Sequence, residues 1–306
     1  MNKKDRKHIL LTGATGFVGR HLLPMLEDYA VHTLGRSPGC DIVCDLERDT
    51  PRLERSYDMV IHLAGTDDYD RADALNNHGT KRLLHALEAF PPRCFTLMST
   101  VQVYGDDPGE DVDENCFMRP DNPYSRSKIR AEKEVEEWCG HHSVRLVVLR
   151  PAPIAGNGMH GRLARMAEAV RRGRYIHIRG NDARRSLVMV CDVVSAICAT
   201  AGMEGVYNVT DGACRTITEL ADAMACNFAN DKRLLVVPST PLKALASVSA
   251  LLPPLHRRIN NDILRRLTTS ATYSNKKIVE AAGIRFYDTV EVIARREKTY
   301  PYEYEP

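Results

Sequence analysis

The sequence lacks an excess of charge of either sign. Its 42 lysines and arginines nearly balance 40 aspartates and glutamates, which leaves a net charge of +2. Such a balance gives no support to nucleic-acid binding, which usually depends on a strongly basic surface. No apolar run is long enough to cross a membrane, and residues 9–11 are too short for the hydrophobic region of a signal peptide. We therefore expect a cytoplasmic protein without a nucleic-acid partner or a membrane span.

The nine cysteines lack the spacing of a disulfide framework or of a zinc site. An odd number leaves one thiol unpaired, and no CxxC pair stands opposite another. Cys40 and Cys44 could form half of a metal site, but no histidine or cysteine follows at ligand spacing. We therefore expect buried thiols in a reducing compartment and no bound metal.

A glycine-rich turn over residues 11–20 is the first feature that points to a ligand. The pattern predicts a strand before it, at residues 8–11, and a helix after it. Its three glycines suit a tight turn, a close approach of backbone N–H groups to a pyrophosphate, and close packing of the helix on the strand. The start of the helix adds unpaired N–H groups and a positive dipole. The predicted cofactor contacts in this turn are Gly13, Thr15, Gly16, Phe17, Val18 and Gly19.

Strands and helices alternate as far as residue 150, which predicts an α/β fold with a doubly wound parallel (Rossmann) sheet. The predicted strands are residues 8–11, 30–34, 41–44, 57–65, 94–98 and 144–149, with a helix over 71–90. Further along the chain, the predicted elements are strands at 186–190 and 205–209 and helices at 191–200 and 216–228. The last of these helices begins with a capping box, Thr216 to Glu219.

We expect two domains, since 306 residues suffice for one sizeable core and a small second domain. Residues 1–150 with about 186–210 would form the dinucleotide-binding domain. Residues 151–185 with 211–306 would form a smaller, mostly helical substrate lobe. Within it, the apolar residues 242–255 suit a packed helix better than a face for a partner or a membrane.

Arg36 follows the second predicted strand, where a dinucleotide fold meets the adenosine ribose. An acidic residue there would bind the 2′-hydroxyl of NAD, whereas an arginine can pair with the 2′-phosphate of NADP. Arg36 therefore favours NADP over NAD, and a solvent-exposed loop arginine is the alternative. Asp45 and Leu46, after the third strand, are placed to meet the adenine. The small-residue end of the next strand adds three predicted contacts, at Leu63, Ala64 and Gly65.

Tyr124 and Lys128 share one face of a helix predicted from 124 to about 138. A tyrosine hydroxyl has an ordinary pKa of about 10, and we expect the Lys128 ammonium to lower the pKa of Tyr124. The pair could then transfer a proton to or from a hydroxyl near neutral pH. Lys128 could also hold the nicotinamide ribose, and Thr100 could hydrogen-bond the same substrate oxygen as Tyr124. A Tyr-x-x-x-Lys pair alone is common on exposed helices, but its position after this glycine turn argues against coincidence.

Together these segments resemble the extended short-chain dehydrogenases/reductases of the nucleotide-sugar epimerase/dehydratase type, over nearly the whole chain. The matching segments are 12–19, 60–65, Asn76 with Gly79-Thr80, Ser99-Thr100 before 103–105, 122–128 and Leu149-Arg150-Pro151. The resemblance implies a catalytic triad of Thr100, Tyr124 and Lys128, and a cofactor site that includes Asn76 and Pro151. It also implies a lobe that binds a nucleoside diphosphate sugar. Finally, it suggests a homodimer through the helices over 81–89 and 124–138, whose outer faces should then be apolar.

Two departures from the family pattern narrow the chemistry. The dehydratases carry an Asp-Glu pair directly after the catalytic threonine, where this chain has Val101 and Gln102, so we do not expect a 4,6-dehydratase. Many epimerases carry an asparagine shortly after the arginine at position 150. This chain has Pro151, Ala152 and Pro153 there.

The C-terminal half is similar to a bacterial subgroup of nucleotide-sugar 4-ketoreductases and proteins described as 4-epimerases. The similarity covers residues 156–158, 184–188 with Asp192, 207–209 before Asp211-Gly212, and 266–270. It implies that Arg185 contacts the substrate diphosphate, because a planar guanidinium binds phosphate oxygens in pairs. A salt bridge between the domains is the alternative for Arg185. The implied substrate contacts are Thr100, Gln102, Arg185 and Arg266.

The leading hypothesis is hydride transfer at C4 of a nucleotide sugar, in the form of an NADPH-dependent reduction of a 4-keto sugar. Tyr124 would donate the proton, Thr100 would orient the carbonyl oxygen, and Lys128 would support Tyr124 and the ribose. A C4 epimerase that holds NAD tightly shares these residues and is the main alternative. A non-catalytic NADP-binding sensor or scaffold is a third hypothesis, which the presence of all three residues disfavours.

Overall fold

The computed structural model describes residues 6–228, 234–238 and 261–295. Its main sheet contains β1 (His8–Thr12), β2 (Ala30–Gly35), β3 (Ile42–Val43), β4 (Met59–His62), β5 (Cys94–Met98), β7 (Arg145–Pro151) and β12 (Gly205–Val209). These strands pair in the order β12-β7-β5-β4-β1-β2-β3, and every pairing is parallel. All carboxyl ends therefore lie along one edge, and the order reverses between β1 and β4, where doubly wound folds bind ligands. The predicted α/β fold is confirmed.

Alternate side chains of β1 pack into two separate hydrophobic cores, one on each face of the sheet. Ile9 and Leu11 pack into one core and Leu10 into another, as expected for a parallel strand buried on both faces. The first core contains residues of α1 (Phe17–Leu22) and α5 (Val190–Ala199), and the second contains residues of α2 (Thr80–Leu87) and α3 (Pro123–His142). Short 3-10 helices at Leu23–Leu26 and Val101–Tyr104 follow α1 and β5.

The long helix α3 begins with local signals that its sequence supplies. Asn122 accepts a hydrogen bond from the Ser125 N–H at 2.9 Å, and Ser125 returns one from its hydroxyl to the Asn122 carbonyl. Pro123 occupies the first turn, where its missing N–H costs nothing. The helix ends at Ser143, which has a left-handed φ of 54°. It therefore extends beyond the predicted end near residue 138.

The segment predicted as one helix over 71–90 has two parts. A π-helix at Asp73–Gly79 precedes α2. Such turns are rare in proteins, and those that occur are often found at functional sites. β3 and β4 are shorter than the strands predicted at 41–44 and 57–65. The residues after β4 are therefore irregular, and they line the carboxyl edge of the sheet.

A smaller lobe, formed mainly by residues after β7, has its own four-stranded sheet in the order β13-β10-β15-β6. The strands of this sheet are β6 (Gly109–Val112), β10 (Arg184–Arg185), β13 (Arg215–Thr216) and β15 (Ala271–Tyr273). β6 lies within residues 103–123, where the sequence analysis predicts no strand. The strand predicted at 186–190 is reduced to β11 (Val188–Met189), which pairs with β8 (Ile154–Ala155) and not with the main sheet.

The other described elements of the lobe are mostly helices. They are α4 (Gly161–Arg171), β9 (Ile176–Ile178), α6 (Ile217–Asn227), β14 (Leu235–Val237), α7 (Asn261–Thr268), α8 (Lys276–Ala282) and α9 (Thr289–Ala294). The capping box predicted at Thr216 and Glu219 is present at the start of α6. The apolar segment 242–255 lies outside the described residues.

The outer faces of α2 and α3 carry charged side chains. Their exposed residues include Lys81, His85, Arg126, Arg130, Lys133, Glu136 and Glu137. Lys81 Nζ lies 2.7 Å from Glu134, which joins the two helices within one chain. The apolar faces on which the homodimer prediction depends are not found on these two helices, and the homodimer stays a prediction.

Within the described ranges, no helix combines the length and apolar character needed to cross a membrane. The same residues contain no group of histidine, cysteine, aspartate and glutamate side chains arranged for a metal ion. The cysteines are free thiols, of which Cys40, Cys94 and Cys139 are buried.

Candidate active site

The glycine-rich turn joins β1 to α1 at the carboxyl edge of the sheet. Gly13 has a φ of +73°, and a Cβ there would lie 2.7 Å from the backbone nitrogen of Ala64. A Cβ at Gly19 would overlap the Gly13 carbonyl oxygen, so α1 packs on the turn only because position 19 is glycine. A Cβ at Gly16 would lie 3.1 Å from that same oxygen and would otherwise face open space. The front of Gly16 is thus accessible to a diphosphate, which fits the predicted dinucleotide site.

The remaining predicted contacts around this turn follow the sheet edge. Thr15 is exposed, Val18 is half-buried, and Phe17 is buried against His21 and His160. The N–H groups of Leu63 and Ala64 donate to Thr12, at its carbonyl and hydroxyl oxygens. Pro151, the last residue of β7, is buried and paired with Val209.

Arg36 follows β2, and Asp45 and Leu46 follow β3, where the sequence analysis predicts an adenosine site. The Arg36 guanidinium is 4.0 Å from Glu47, and 60% of its side chain is exposed. The Asp45 carboxylate accepts the Glu47 N–H at 3.1 Å. The Leu46 carbonyl accepts a hydrogen bond from Arg82 at 3.0 Å. These bonds hold the turn after β3 and leave Arg36 facing solvent.

His62, which the sequence analysis did not single out, lies at the centre of a buried hydrogen-bond chain. Its Nδ1 is 2.6 Å from the Thr12 hydroxyl, and its Nε2 is 3.0 Å from the Thr80 hydroxyl. Thr80 donates its own proton to the Asn76 carbonyl, so His62 donates from Nε2 and accepts at Nδ1. Burial, aided by the Lys128 charge, lowers the pKa of His62 to about 3. The neutral ring therefore joins the end of β1 to Thr80 at the start of α2. The sequence signal that could have identified it is a histidine within an apolar strand.

The Asn76 side chain connects the loop after β4 to α3. It accepts the Thr66 N–H at 2.8 Å and donates to the Thr66 carbonyl at 2.9 Å. It also donates to the Ser127 hydroxyl at 2.9 Å, and Ser127 donates to the Tyr124 carbonyl at 2.8 Å. Asn76 thus positions the segment that carries Tyr124, and its predicted contact with a cofactor stays a prediction.

Thr100, Tyr124 and Lys128 converge at the end of β5. Thr100 is buried, and its hydroxyl lies close enough to Tyr124 to lower the pKa of the tyrosine. The same oxygen accepts the Gln102 N–H at 3.2 Å. Lys128 is 7% exposed, and its Nζ donates to the Met98 carbonyl at 2.8 Å. The structure therefore brings the three predicted catalytic side chains together, and their catalytic roles are the subject of the proposal below.

The expectation that Lys128 lowers the pKa of Tyr124 is wrong. Burial raises the pKa of Tyr124 to about 12, the hydrogen bond from Thr100 opposes the rise, and the Asp67 carboxylate adds to it. The Lys128 ammonium is directed to the Met98 carbonyl. Burial lowers the pKa of Lys128 to about 8, against the effect of the Glu132 carboxylate. Near neutral pH, Tyr124 therefore keeps its proton.

The predicted substrate contacts are only partly described. Gln102 lies in the 3-10 helix directly after Thr100. Arg185 on β10 is half-buried and donates to the carbonyls of Arg184, at 2.9 Å, and Thr269. Both of these carbonyls belong to the lobe that contains Arg185. Arg266 is in α7, and its side chain lies outside the described residues.

The model of the NAD dependent epimerase/dehydratase family matches residues 9–210. The chain belongs to this family. The match includes the glycine turn and the three converging side chains, so the resemblance predicted from the sequence is confirmed. The relatives of this chain are reductases, epimerases and dehydratases, and this family member is accordingly an enzyme.

The individual relatives of this chain include a reductase and an epimerase. GDP-6-deoxy-D-mannose reductase of Pseudomonas aeruginosa is 31% identical over 247 residues, which cover 72% of this chain and 79% of the relative. The N-acetyl-alpha-D-glucosaminyl-diphospho-ditrans,octacis-undecaprenol 4-epimerase of Escherichia coli O157:H7 is 28% identical over 225 residues, 67% of each chain. Among solved structures, RMD from Pseudomonas aeruginosa complexed with NADPH has a TM-score of 0.72 at 25% identity, and covers 95% of this chain and 97% of its own.

Proposed function

We propose that this enzyme reduces a 4-keto nucleotide sugar with NADPH. The proposal is carried by the Tyr124 hydroxyl, which meets Thr100 at the carboxyl edge of the sheet and has a pKa raised to about 12. A hydroxyl that stays protonated at neutral pH is suited to donate a proton to a carbonyl oxygen. Arg36, at the end of β2, favours an exchangeable NADPH over the tightly held NAD of an epimerase.

In this proposal each side chain has a separate task. Thr100 orients the C4 carbonyl oxygen, and Tyr124 gives that oxygen its proton. Lys128, whose pKa of about 8 leaves it mostly charged at neutral pH, would hold the nicotinamide ribose, while the Thr100 hydroxyl favours the phenolate that remains on Tyr124. Bound NADPH would supply the hydride that reaches C4, so that the carbonyl becomes an alcohol.

The binding residues of the proposal divide between the two predicted domains. Residues 1–150 with about 186–210 hold the cofactor, through the glycine turn at the diphosphate and Arg36 at the 2′-phosphate. Residues 151–185 with 211–306 hold the sugar nucleotide, with Arg185 and Arg266 at its diphosphate. The relation to a GDP-6-deoxy-D-mannose reductase, and to a structure complexed with NADPH, supports reduction and the choice of NADP.

Two measurements on the purified protein test the proposal. The nucleotide released by denaturation is identified first, and consumption of NADPH is then followed with 4-keto-6-deoxy sugars attached to GDP, dTDP or UDP. We expect one NADPH oxidised for each sugar reduced. Tyr124→Phe should lower kcat by about 100-fold or more, because it removes the proton donor.

Tyr29→Phe is the matched control for this variant. Tyr29 is partly exposed and directly precedes β2, at the edge of the sheet opposite the site, so its hydroxyl should not affect kcat. If the protein releases tightly bound NAD and interconverts C4 epimers without net oxidation of NADPH, it is an epimerase and not a reductase. Unchanged turnover in Tyr124→Phe would remove Tyr124 from the mechanism.

A further inference from the structure

Three successive residues at the end of β5 contact three successive turns of α3. The contacts are Thr100 with Tyr124, Met98 with Lys128, and Ser99 with Glu132. Residues four apart in a helix lie on one face, so positions 124, 128 and 132 form a single row against the strand end. Two members of this row are the proposed catalytic residues. The third, Glu132, has no part in the proposed reaction.

The Glu132 carboxylate is deeply buried and fully engaged. Glu132 is 5% exposed and accepts a hydrogen bond from the Ser99 hydroxyl. It also accepts bonds from Arg150, at 3.1 Å from Nε and 2.6 Å from the terminal nitrogen. A buried carboxylate requires such charged and hydrogen-bonding partners. Glu132 is therefore held from two strands of the main sheet, β5 and β7.

Arg150 extends this network into the smaller lobe. Its second terminal nitrogen donates to the Tyr104 hydroxyl at 2.9 Å, and Tyr104 donates to the Asn208 side chain at 2.9 Å. Asn208 in turn donates to the carbonyl of Val112, in the lobe strand β6, at 3.1 Å. A displacement of Glu132 would thus alter contacts both at the end of β5 and in the smaller lobe.

We propose that Glu132, held by Ser99 and Arg150, is a positioning residue that sets the register of α3 against the end of β5, so that Tyr124 and Lys128 meet Thr100. The inference rests on the proposed function, in which those three side chains act on the substrate. A purely structural ion pair would contribute to stability alone. A positioning residue must also affect turnover.

Because few charges among the described residues lie near Lys128, the pH at which Lys128 titrates depends directly on the charge of Glu132. Glu132 faces Lys128 from the next turn of α3, and His62, which is neutral, faces it from β4. Arg150 lies behind Glu132 on β7. The Glu132 charge favours the Lys128 ammonium and so opposes the lowering of the Lys128 pKa by burial. Loss of that charge should move the titration of Lys128 to lower pH.

Glu132→Gln removes the charge and keeps the side-chain length. In the cofactor-free protein, the carbon-13 NMR titration of Lys128, assigned with Lys128→Met, should shift to lower pH. With cofactor and sugar, kcat should fall by about tenfold or more at unchanged KM, because a small misplacement of reacting groups is costly. Glu134→Gln, on the same helix and paired with Lys81 at 2.7 Å, should change neither quantity.

Ser99→Ala provides a test that keeps both buried charges and so does not endanger folding. It removes only the hydroxyl that joins the strand end to Glu132, and kcat should fall severalfold while KM and the Lys128 titration stay as in the wild type. Wild-type kcat in both Ser99→Ala and Glu132→Gln, with only the melting temperature lowered, would overturn the inference. If Glu132→Gln does not fold, Ser99→Ala alone decides. Failure of the proposed function is seen separately, as absence of sugar reduction by the wild type, while the Lys128 titration still tests Glu132.

Discussion

The guanidinium of Arg36 lies 4.0 Å from a carboxylate oxygen of Glu47. Glu47 is held more closely by Arg71, which donates to both of its oxygens, one of them at 3.3 Å. Because Arg71 is the closer partner of Glu47 and the Arg36 side chain is largely exposed, the Arg36 guanidinium is accessible to a phosphate. This arrangement places an exposed arginine where the 2′-phosphate of NADP is proposed to lie.

Arg36→Ala should therefore change the choice of cofactor. We expect the Kd for NADPH to rise by about tenfold or more, the loss of one charge-assisted hydrogen bond, whereas the Kd for NADH stays the same. Calorimetric titration with both nucleotides measures the two values. Arg52→Ala is the control, since 91% of the Arg52 side chain is exposed and its near partner is Glu54. An equal loss of affinity for both nucleotides would show that Arg36 does not read the 2′-phosphate.

Gly19→Ala should disrupt the cofactor turn. The added Cβ would overlap the Gly13 carbonyl and lie 2.7 Å from the Ala14 Cα, so the backbone itself must move. We expect a loss of about 1–3 kcal/mol in the free energy of unfolding, and weaker binding of NADPH and NADH alike. Urea unfolding and nucleotide titration give both quantities.

Gly140→Ala is the matched control for this substitution. Gly140 lies within α3, and no heavy atom is within 4 Å of its added Cβ. Because alanine favours a helix by about 1 kcal/mol over glycine, this variant should be as stable as the wild type or more so. If the two alanine variants were equally stable, close packing of the turn would not explain the glycine at position 19.

Asp192→Asn should stabilise the protein near neutral pH. Burial raises the pKa of Asp192 to about 6, opposed by a hydrogen bond from the Tyr287 N–H and increased by the Asp211 charge. An unfolded aspartate has a pKa of about 3.9. Between these values the folded state binds more protons than the unfolded state, so this group's contribution to stability falls as pH rises from about 4 to about 6. Ionised Asp192 therefore costs about 3 kcal/mol at neutral pH.

The asparagine variant keeps an acceptor for the Tyr287 N–H and cannot ionise. Its free energy of unfolding should exceed that of the wild type by about 1–3 kcal/mol at about pH 7, and the gain should nearly vanish at about pH 4. Urea unfolding of both proteins at the two pH values measures the difference. The same gain at both pH values would mean that ionisation of Asp192 is not its cause.

Much of the fold and part of the site were predictable because their signals are local. The spacing of glycines at 13, 16 and 19 and the alternation of strands and helices indicated the nucleotide turn and the parallel sheet. A parallel sheet aligns its carboxyl ends, so Thr100 and Tyr124 could be placed together. The π-helix and the strand β6 were missed, because both depend on contacts with distant parts of the chain.

The sequence by itself determined the family, the cofactor turn and the three side chains that meet at the strand end, since each depends on residue type at a short, regular spacing. Only the tertiary structure decided how those side chains are protonated and what holds them. Burial raises the pKa of Tyr124 and lowers that of Lys128, and burial is a property of the packed fold. The contact between Ser99 and Glu132 likewise exists only when strand and helix are docked, 33 residues apart in the chain.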